Sequence, residues 1–254
     1  MLDTLLFNPF LIFFIIFLIS PNDIFSYKTI IVFLANLFLT FFTYTINDVE
    51  DSDDDYNDKK KKERNPISNG DLSKKHGYLI SFLLFFAGLS LFLLLGYLVF
   101  LFGLLFGLIA FFYSWKPVRL KSIPVLDIIS HVICLGILQF STTYLTFRPL
   151  DFRMLPFLLI IAPFSIAAEI SHELADFEID RKTKIKNTVQ KFGKFNITKL
   201  IIILNVMVTL GFVLLYYVGY LNGSMFLFTP IILLIAILHF ENTFKDFNYK
   251  KQNF

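Results

Sequence analysis

A bundle of membrane-spanning helices, all-α, is the fold class this 254-residue sequence predicts, and three observations predict it. The composition is 56% hydrophobic and 17% charged, with a mean hydropathy of +0.67. A water-soluble domain carries about 25% charged residues and could not bury this much apolar surface. The apolar residues fall in runs of about 20, the length at which a helix crosses a hydrocarbon core about 30 Å thick. Membrane strands would instead show short alternating segments. Finally, the basic residues segregate to one side of the map that these runs define.

The runs lie at about 4–20, 28–46, 78–95, 98–115, 123–147, 153–173, 198–219 and 225–243, giving eight expected spans. The first lacks the basic flank and small-residue cleavage site of a secretory signal, so it reads as a retained span. The second runs straight into "INDVEDSDDD". Between the third and fourth there is almost no polar break, and Gly96 marks an expected hairpin turn. Pro156 and Pro163 fall in the sixth, where proline can kink a membrane helix without ending it. Eight spans put both termini and the loops 47–77, 116–122 and 174–197 on one side. That side holds all but three of the 23 Lys and Arg residues, the exceptions being Lys28, Arg148 and Arg153. It is therefore expected to be cytoplasmic, in what reads as the cell membrane. No linker or soluble tail interrupts the pattern, so residues 1–254 read as one membrane domain. A net charge of +3 gives no reason to expect nucleic acid, and the single Cys134 excludes an intramolecular disulfide.

Two acidic clusters lie on the expected cytoplasmic side. Asp48, Asp51 and Asp55 are spaced i, i+3 and i+7, so on a continuing helix they share a face that Asn47 begins. In "AAEISHELADFEIDRKTKIKNT", Glu169, Glu173, Asp176 and Asp180 fall at i, i+4, i+7 and i+11, a second stripe. Each cluster alone could be a solvated loop. Two stripes facing one another would repel unless cations lay between them, and hard oxygen donors without His or Cys suit Mg²⁺ bridged to phosphate. Neighbouring Lys and Arg would pair with phosphate oxygens. The pattern describes a diphosphate site at the mouth of an apolar cavity.

These residues resemble the UbiA superfamily of intramembrane prenyltransferases. Asn47, Asp48, Asp51 and Asp55 match its N-D-x-x-D-x-x-x-D motif without a gap, and "RNPISNG", Arg64 to Gly70, resembles the R-x-P-x-x-x-G continuation. "DFEIDRKTKIKNT" resembles the second motif through Asp176, Asp180, Lys186 and Thr188, followed by Gly193. "FYSWKPVRLKS" resembles the middle loop through Tyr113, Arg119 and Lys121. The ordered set spans about residues 30 to 195. It departs from the family in showing eight spans where nine are usual, and in lacking a strict Y-x-x-x-K, which leaves Lys116 and Lys121 as alternative phosphate contacts. "DDYND", Asp54 to Asp58, also matches the DDxxD of soluble prenyl diphosphate synthases, whose fold the spans exclude. The D-G-x-x-A-R pattern of the CDP-alcohol phosphotransferases is absent.

The resemblance implies Mg²⁺-dependent transfer of a prenyl group from a polyprenyl diphosphate to a lipophilic or aromatic acceptor within the lipid membrane. Asp48, Asp51, Asp55, Asp176 and Asp180 would hold metal, with Asp51 and Asp176 central to catalysis. Asn47, Tyr113, Arg64, Arg119, Lys121 and Lys186 would meet the diphosphate. Glu169 is the expected acceptor-binding group or base, or else an interhelical hydrogen-bond partner in its protonated form. His172 is either a proton acceptor or a boundary histidine bonded to a carbonyl. Asn36, His131 and Gln139 either line the cavity or bond a neighbouring helix, and Lys59 to Lys62 read as membrane-surface charge. Two other functions compete. A related terpene cyclase would need no acceptor, and a divalent-cation transporter would place its acids in mid-membrane.

Overall fold

A computed structural model describes residues 12–175, 177, 181 and 186–221. Everything regular in it is helical. Two compact units divide the chain: Met1–Leu120 with Ile133–Pro149, and Lys121–Val132 with Leu150–Phe254.

The first unit is organised on α2, Tyr27–Asp55, preceded by a helix α1 over 12–19. Ser26 caps α2 by accepting from the Thr29 N–H, satisfying one of the orphan donors of the first turn. At 29 residues the helix is about 43 Å long, so it outruns the hydrocarbon core by more than two turns. The second expected span thus continues past residue 46 as a helix, as the acidic spacing required. A short α3, Lys59–Arg64, follows, capped by the Asp58 carboxylate on the Lys61 N–H. Next come α4, Lys74–Leu95, and α5, Tyr97–Ser114. Gly96 alone joins them with φ +136°, a backbone conformation that strains any L side chain, so the expected hairpin is present at its tightest. The two helices then close on each other through glycine: a Cβ on Gly103 would lie 2.3 Å from the Phe92 ring, and one on Gly107 2.3 Å from the Phe85 ring.

The burial pattern of α4 suits lipid rather than water. Its buried positions are Gly77, Ser81, Gly88, Leu89 and Phe92, while Leu79, Leu83, Phe86, Leu93 and Leu94 are exposed. Three of the five buried positions, Gly77, Ser81 and Gly88, are small, with large apolar residues outward, as close helix packing in a bilayer selects.

The fifth span is helical over Leu126–Phe147: α6, Leu126–His131, then a π-helical stretch Val132–Leu138, then α7, Gln139–Phe147. His131 and Gln139 flank this stretch and have different partners, Glu169 for His131 and Thr40 for Gln139. Gln139 is buried and donates to Thr40 Oγ1, while Thr142 donates to Asn36 Oδ1. Both bonds tie α7 to α2, so for Asn36 and Gln139 the structure favours the interhelical alternative over cavity lining.

The second unit contains α6, α8 (Leu155–Ala175) and α9 (Thr188–Tyr217). Pro163 lies inside α8 without ending it. Ile170, Leu174 and Val189 form a small core, flanked by Ile128, Ile166 and Leu200. Gly211 lets α9 approach α8 closely, since a Cβ there would lie 2.5 Å from Ile160. The expected span 198–219 begins ten residues earlier, at Thr188. Span 225–243 lies outside the described residues. Among the described residues, five helices are long and apolar enough to cross a membrane: Tyr27–Asp55, Lys74–Leu95, Tyr97–Ser114, Leu126–Phe147 and Phe152–Leu174.

Candidate active site

The acidic face of α2 rests on local physics. Helical geometry holds through Asp55, so Asn47, Asp48, Asp51 and Asp55 lie along one stripe of its last turns. The helix stops there because the chain turns at Tyr56, and Asp58 leaves helical geometry to cap α3. The DDxxD-like match therefore dissolves: Asp54 is on α2 and Asp58 on a cap. The backbone N–H of Lys61 beside Asp58 holds its carboxyl below the usual carboxylate range.

Arg119 closes over this face. Its Nη2 donates to Asp51 Oδ1 at 3.0 Å and to Asp54 Oδ2 at 2.7 Å, and its buried Nε has no hydrogen-bond partner among the described residues. The residue adopts a left-handed backbone, φ +43°, which costs a non-glycine residue about 1 kcal/mol or more. Lys116 takes a different carboxylate: its Nζ lies 2.8 Å from Asp53 Oδ2, beside Lys74 at 2.7 Å on the same oxygen. The Asp53 partner raises the Lys116 ammonium above its ordinary value. Of the loop cations, Arg119 reaches the acidic motif, while Lys116 is engaged by Asp53, which lies between Asp51 and Asp55 but outside the motif.

The "RNPISNG" stretch is folded back onto α2 by Asn65, a residue the sequence reading passed over. Its buried amide donates to the Asp48 carbonyl at 2.8 Å and to Asp55 Oδ2 at 2.9 Å, and its Oδ1 accepts from the Ile67 N–H at 3.0 Å. Ser68 Oγ adds a bond to the Ser52 carbonyl at 2.8 Å. The motif's own Arg64 is exposed in the last turn of α3. Asn47 Oδ1 accepts from Ser114 Oγ at 3.2 Å, and Tyr113 is half-buried next to that serine.

In the second unit, buried carboxylates gather at the start of α9. Asp127 accepts from the backbone N–H and hydroxyl of Thr188, and Glu173 accepts from the Val189 N–H at 2.9 Å. Helix N-termini stabilise carboxylates, which explains how two acids tolerate burial here. Glu169, on α8, lies 2.8 Å from His131 Nδ1 on α6, so its carboxylate does have an interhelical partner. His172 is exposed, Lys121 sits half-buried in the short turn Leu120–Ser122, and Lys186 is exposed just before α9. Asp176 and Asp180 lie outside the described residues. Among the described residues, no three acidic, His or Cys side chains converge into a ready-made metal cage.

Comparison with known proteins bears on this geometry. Digeranylgeranylglyceryl phosphate synthase of Pyrococcus horikoshii is 29% identical over 169 residues, 66% of this chain. That match spans only 57% of the relative's own length. A UbiA homologue from Archaeoglobus fulgidus, solved bound to GPP and Mg²⁺, has TM-score 0.75 at 22% identity, covering 94% of this chain and 84% of its own. The same homologue bound to DMAPP and Mg²⁺ gives TM-score 0.74 at 20% identity, with the same coverage of both chains. At these identities the structural likeness establishes the fold. A sequence model of the UbiA prenyltransferase family matches residues 8–253, nearly the whole chain, and an integral membrane protein with this order of acidic motifs therefore belongs to the UbiA prenyltransferase family.

Proposed function

We propose that this protein transfers the prenyl group of a prenyl diphosphate to a lipophilic or aromatic acceptor, with Mg²⁺ as cofactor and release of pyrophosphate. Residues 1–254 act as one membrane domain, with the site facing the cytoplasm, the side to which the basic residues segregate. The observation that carries the reading is the unbroken α2, which presents Asn47, Asp48, Asp51 and Asp55 on one face with the Arg119 guanidinium already on Asp51. An all-oxygen donor set that draws in a cation, yet does not form a closed cage, fits an ion that prefers a few carboxylates plus phosphate oxygens and water. The Mg²⁺ reported with the Archaeoglobus fulgidus homologue agrees with that chemistry.

Mg²⁺, when bound, supplies neutralisation of the charge that develops on the leaving pyrophosphate. Asp48, Asp51 and Asp55 would hold it, and Asp176 and Asp180 are assigned to the same role. Arg119 donates to the diphosphate from its position beside Asp51, and Arg64, Lys121, Lys186, Tyr113 and Asn47 are the auxiliary donors. The apolar helices keep water from the allylic cation until the acceptor captures it. Glu169, oriented by His131, is the group that takes the acceptor's proton.

The test is incubation of the purified protein with Mg²⁺, prenyl diphosphates of several lengths and a panel of acceptors that includes a prenylated glyceryl phosphate, followed by mass spectrometry. Acceptor-dependent prenylated product is the expected result. A hydrocarbon formed from donor alone would move the assignment to a terpene cyclase. Mg²⁺ binding with no consumption of any donor would refute the proposal.

A further inference from the structure

Glu50 has no role in the acidic motif, yet it is the most deeply buried carboxylate of α2. It is 4% exposed and both of its oxygens are engaged. Oε1 accepts from the Tyr78 hydroxyl of α4 at 2.6 Å, and Oε2 accepts from the Lys116 N–H at 3.0 Å. A buried carboxylate is costly unless its oxygens are hydrogen-bonded, so a position that retains one is defined by what it holds. Here it holds the first peptide beyond α5. From that point the chain makes a single tight turn: the Trp115 carbonyl accepts from Val118 N–H at 3.0 Å and from Arg119 N–H at 2.7 Å. Arg119 then returns to α2 through Asp51 and Asp54. The turn is thus pinned at both ends to one helix, by Glu50 at its start and by the guanidinium at its finish.

We infer that Glu50 is a positioning residue that sets the register of the Trp115–Arg119 turn and so delivers the Arg119 guanidinium to the acidic motif. Pro117 carries no N–H, and Lys116 Nζ goes to the exposed Asp53, so the Glu50–Lys116 bond is the buried anchor of the turn. The inference deepens the diphosphate-site reading and rests on it for its ligand.

The experiment is a double-mutant cycle of Glu50→Leu and Arg119→Gln, measuring binding of geranylgeranyl diphosphate with Mg²⁺, together with acrylamide quenching of Trp115, the protein's one tryptophan. Glu50→Leu removes both acceptors at similar volume. It is expected to weaken donor binding about tenfold and to raise the accessibility of Trp115. Its effect on binding should nearly vanish in the Arg119→Gln background, because both changes then remove the same delivered charge. Glu50→Gln is the conservative rescue: its amide oxygen accepts from the Lys116 N–H while its N–H turns to the Tyr78 hydroxyl, so binding and quenching should stay near wild type. Tyr78→Phe, which leaves the Lys116 bond in place, should alter Trp115 quenching much less than Glu50→Leu. Additive effects of Glu50→Leu and Arg119→Gln, unchanged Trp115 quenching in folded Glu50→Leu, or a Glu50→Gln protein as impaired as Glu50→Leu would overturn the inference. Should wild-type protein bind no prenyl diphosphate, the functional reading fails by itself, and the quenching comparison still decides whether Glu50 anchors the turn.

Discussion

Asn65→Ala is the substitution whose cost the structure specifies best. The side chain is buried and makes a bond to a carboxylate, Asp55 Oδ2, a bond to the Asp48 carbonyl, and an acceptance from the Ile67 N–H. A hydrogen bond to a charged group contributes about 1.5–3 kcal/mol and a neutral one about 0.5–1.5 kcal/mol. Asp55 is only half-buried, so water replaces part of what it loses. The expected loss is about 2–3 kcal/mol, confined to the segment that follows α3, which raises its open population roughly 30- to 150-fold. Limited trypsinolysis reads this directly, because Arg64–Asn65 is cleavable only when the segment lifts from α2. When opening is fast, the cleavage rate follows the open population. Peptide mapping should show cleavage after Arg64 accelerated by tens of fold. Asn65→Asp should be no better, since it sets a second carboxylate against Asp55. A rate within threefold of wild type would mean that Ser68 and the Leu72–Pro66 backbone bond hold the segment alone. Asn65 would then have no claim on Asp55.

Asp51→Asn and Asp48→Asn are expected to lower turnover by at least a hundredfold while elution volume and thermal midpoint stay near wild type, as measured by donor consumption and size-exclusion chromatography. Near-normal turnover in either would remove that residue from the metal-holding set. Gly107→Val drives a branched side chain into the Phe85 ring and should destabilise the α4–α5 pair by about 1–3 kcal/mol, seen as a lower thermal midpoint in detergent. Gly70→Ala, at a position with nothing within 4 Å of the added Cβ, should instead cost only what its φ of +93° imposes. Asp53 raises the Lys116 pKa, so their pairing contributes fully below the ordinary lysine value of 10.5 and is lost only as pH rises through the raised one. The gap in thermal midpoint between wild type and Lys116→Met should therefore be small and flat from pH 6 to 9, and a gap that changes with pH in that window would contradict the pairing.

Much of this fold was legible because lipid imposes a long period on the sequence. The second span could be read through to its acidic end, since a helix that keeps i, i+3, i+7 spacing past its apolar stretch has reason to continue. Gly96 was legible for a related reason, because only a φ-permissive residue could divide two apolar runs so abruptly. What escaped was tertiary. Asn65 lay inside a recognisable motif, but its importance arises from a carbonyl 17 positions away on α2. Glu50 was passed over because no spacing rule singles it out, and its partners come from α4 and from beyond α5. A preceding motif acid with no cavity-facing phase, close to a Tyr on the next span, is the signal that could have found it. The partners of His131 and Gln139, Glu169 and Thr40, likewise come from other helices and could not be read from the spacing of the two residues. Nor could spacing show that Lys116 pairs with Asp53, or that a left-handed turn carries Arg119 to Asp51, since both arise from the path of the chain after α5.

The length of α2 makes bilayer thickness a parameter of the chemistry. The acidic face rides on a stiff rod whose first turn is fixed by the Ser26 cap, not on a loop that could stretch or slacken. A rod answers a thicker or thinner bilayer by tilting, at a cost of fractions of a kcal/mol per Å of mismatch. What tilting does not absorb of each added Å of hydrocarbon lowers the carboxylates toward the headgroup layer. Reconstitution in lipids of graded acyl length would thus vary the elevation of the acidic face above the hydrocarbon without altering a single residue.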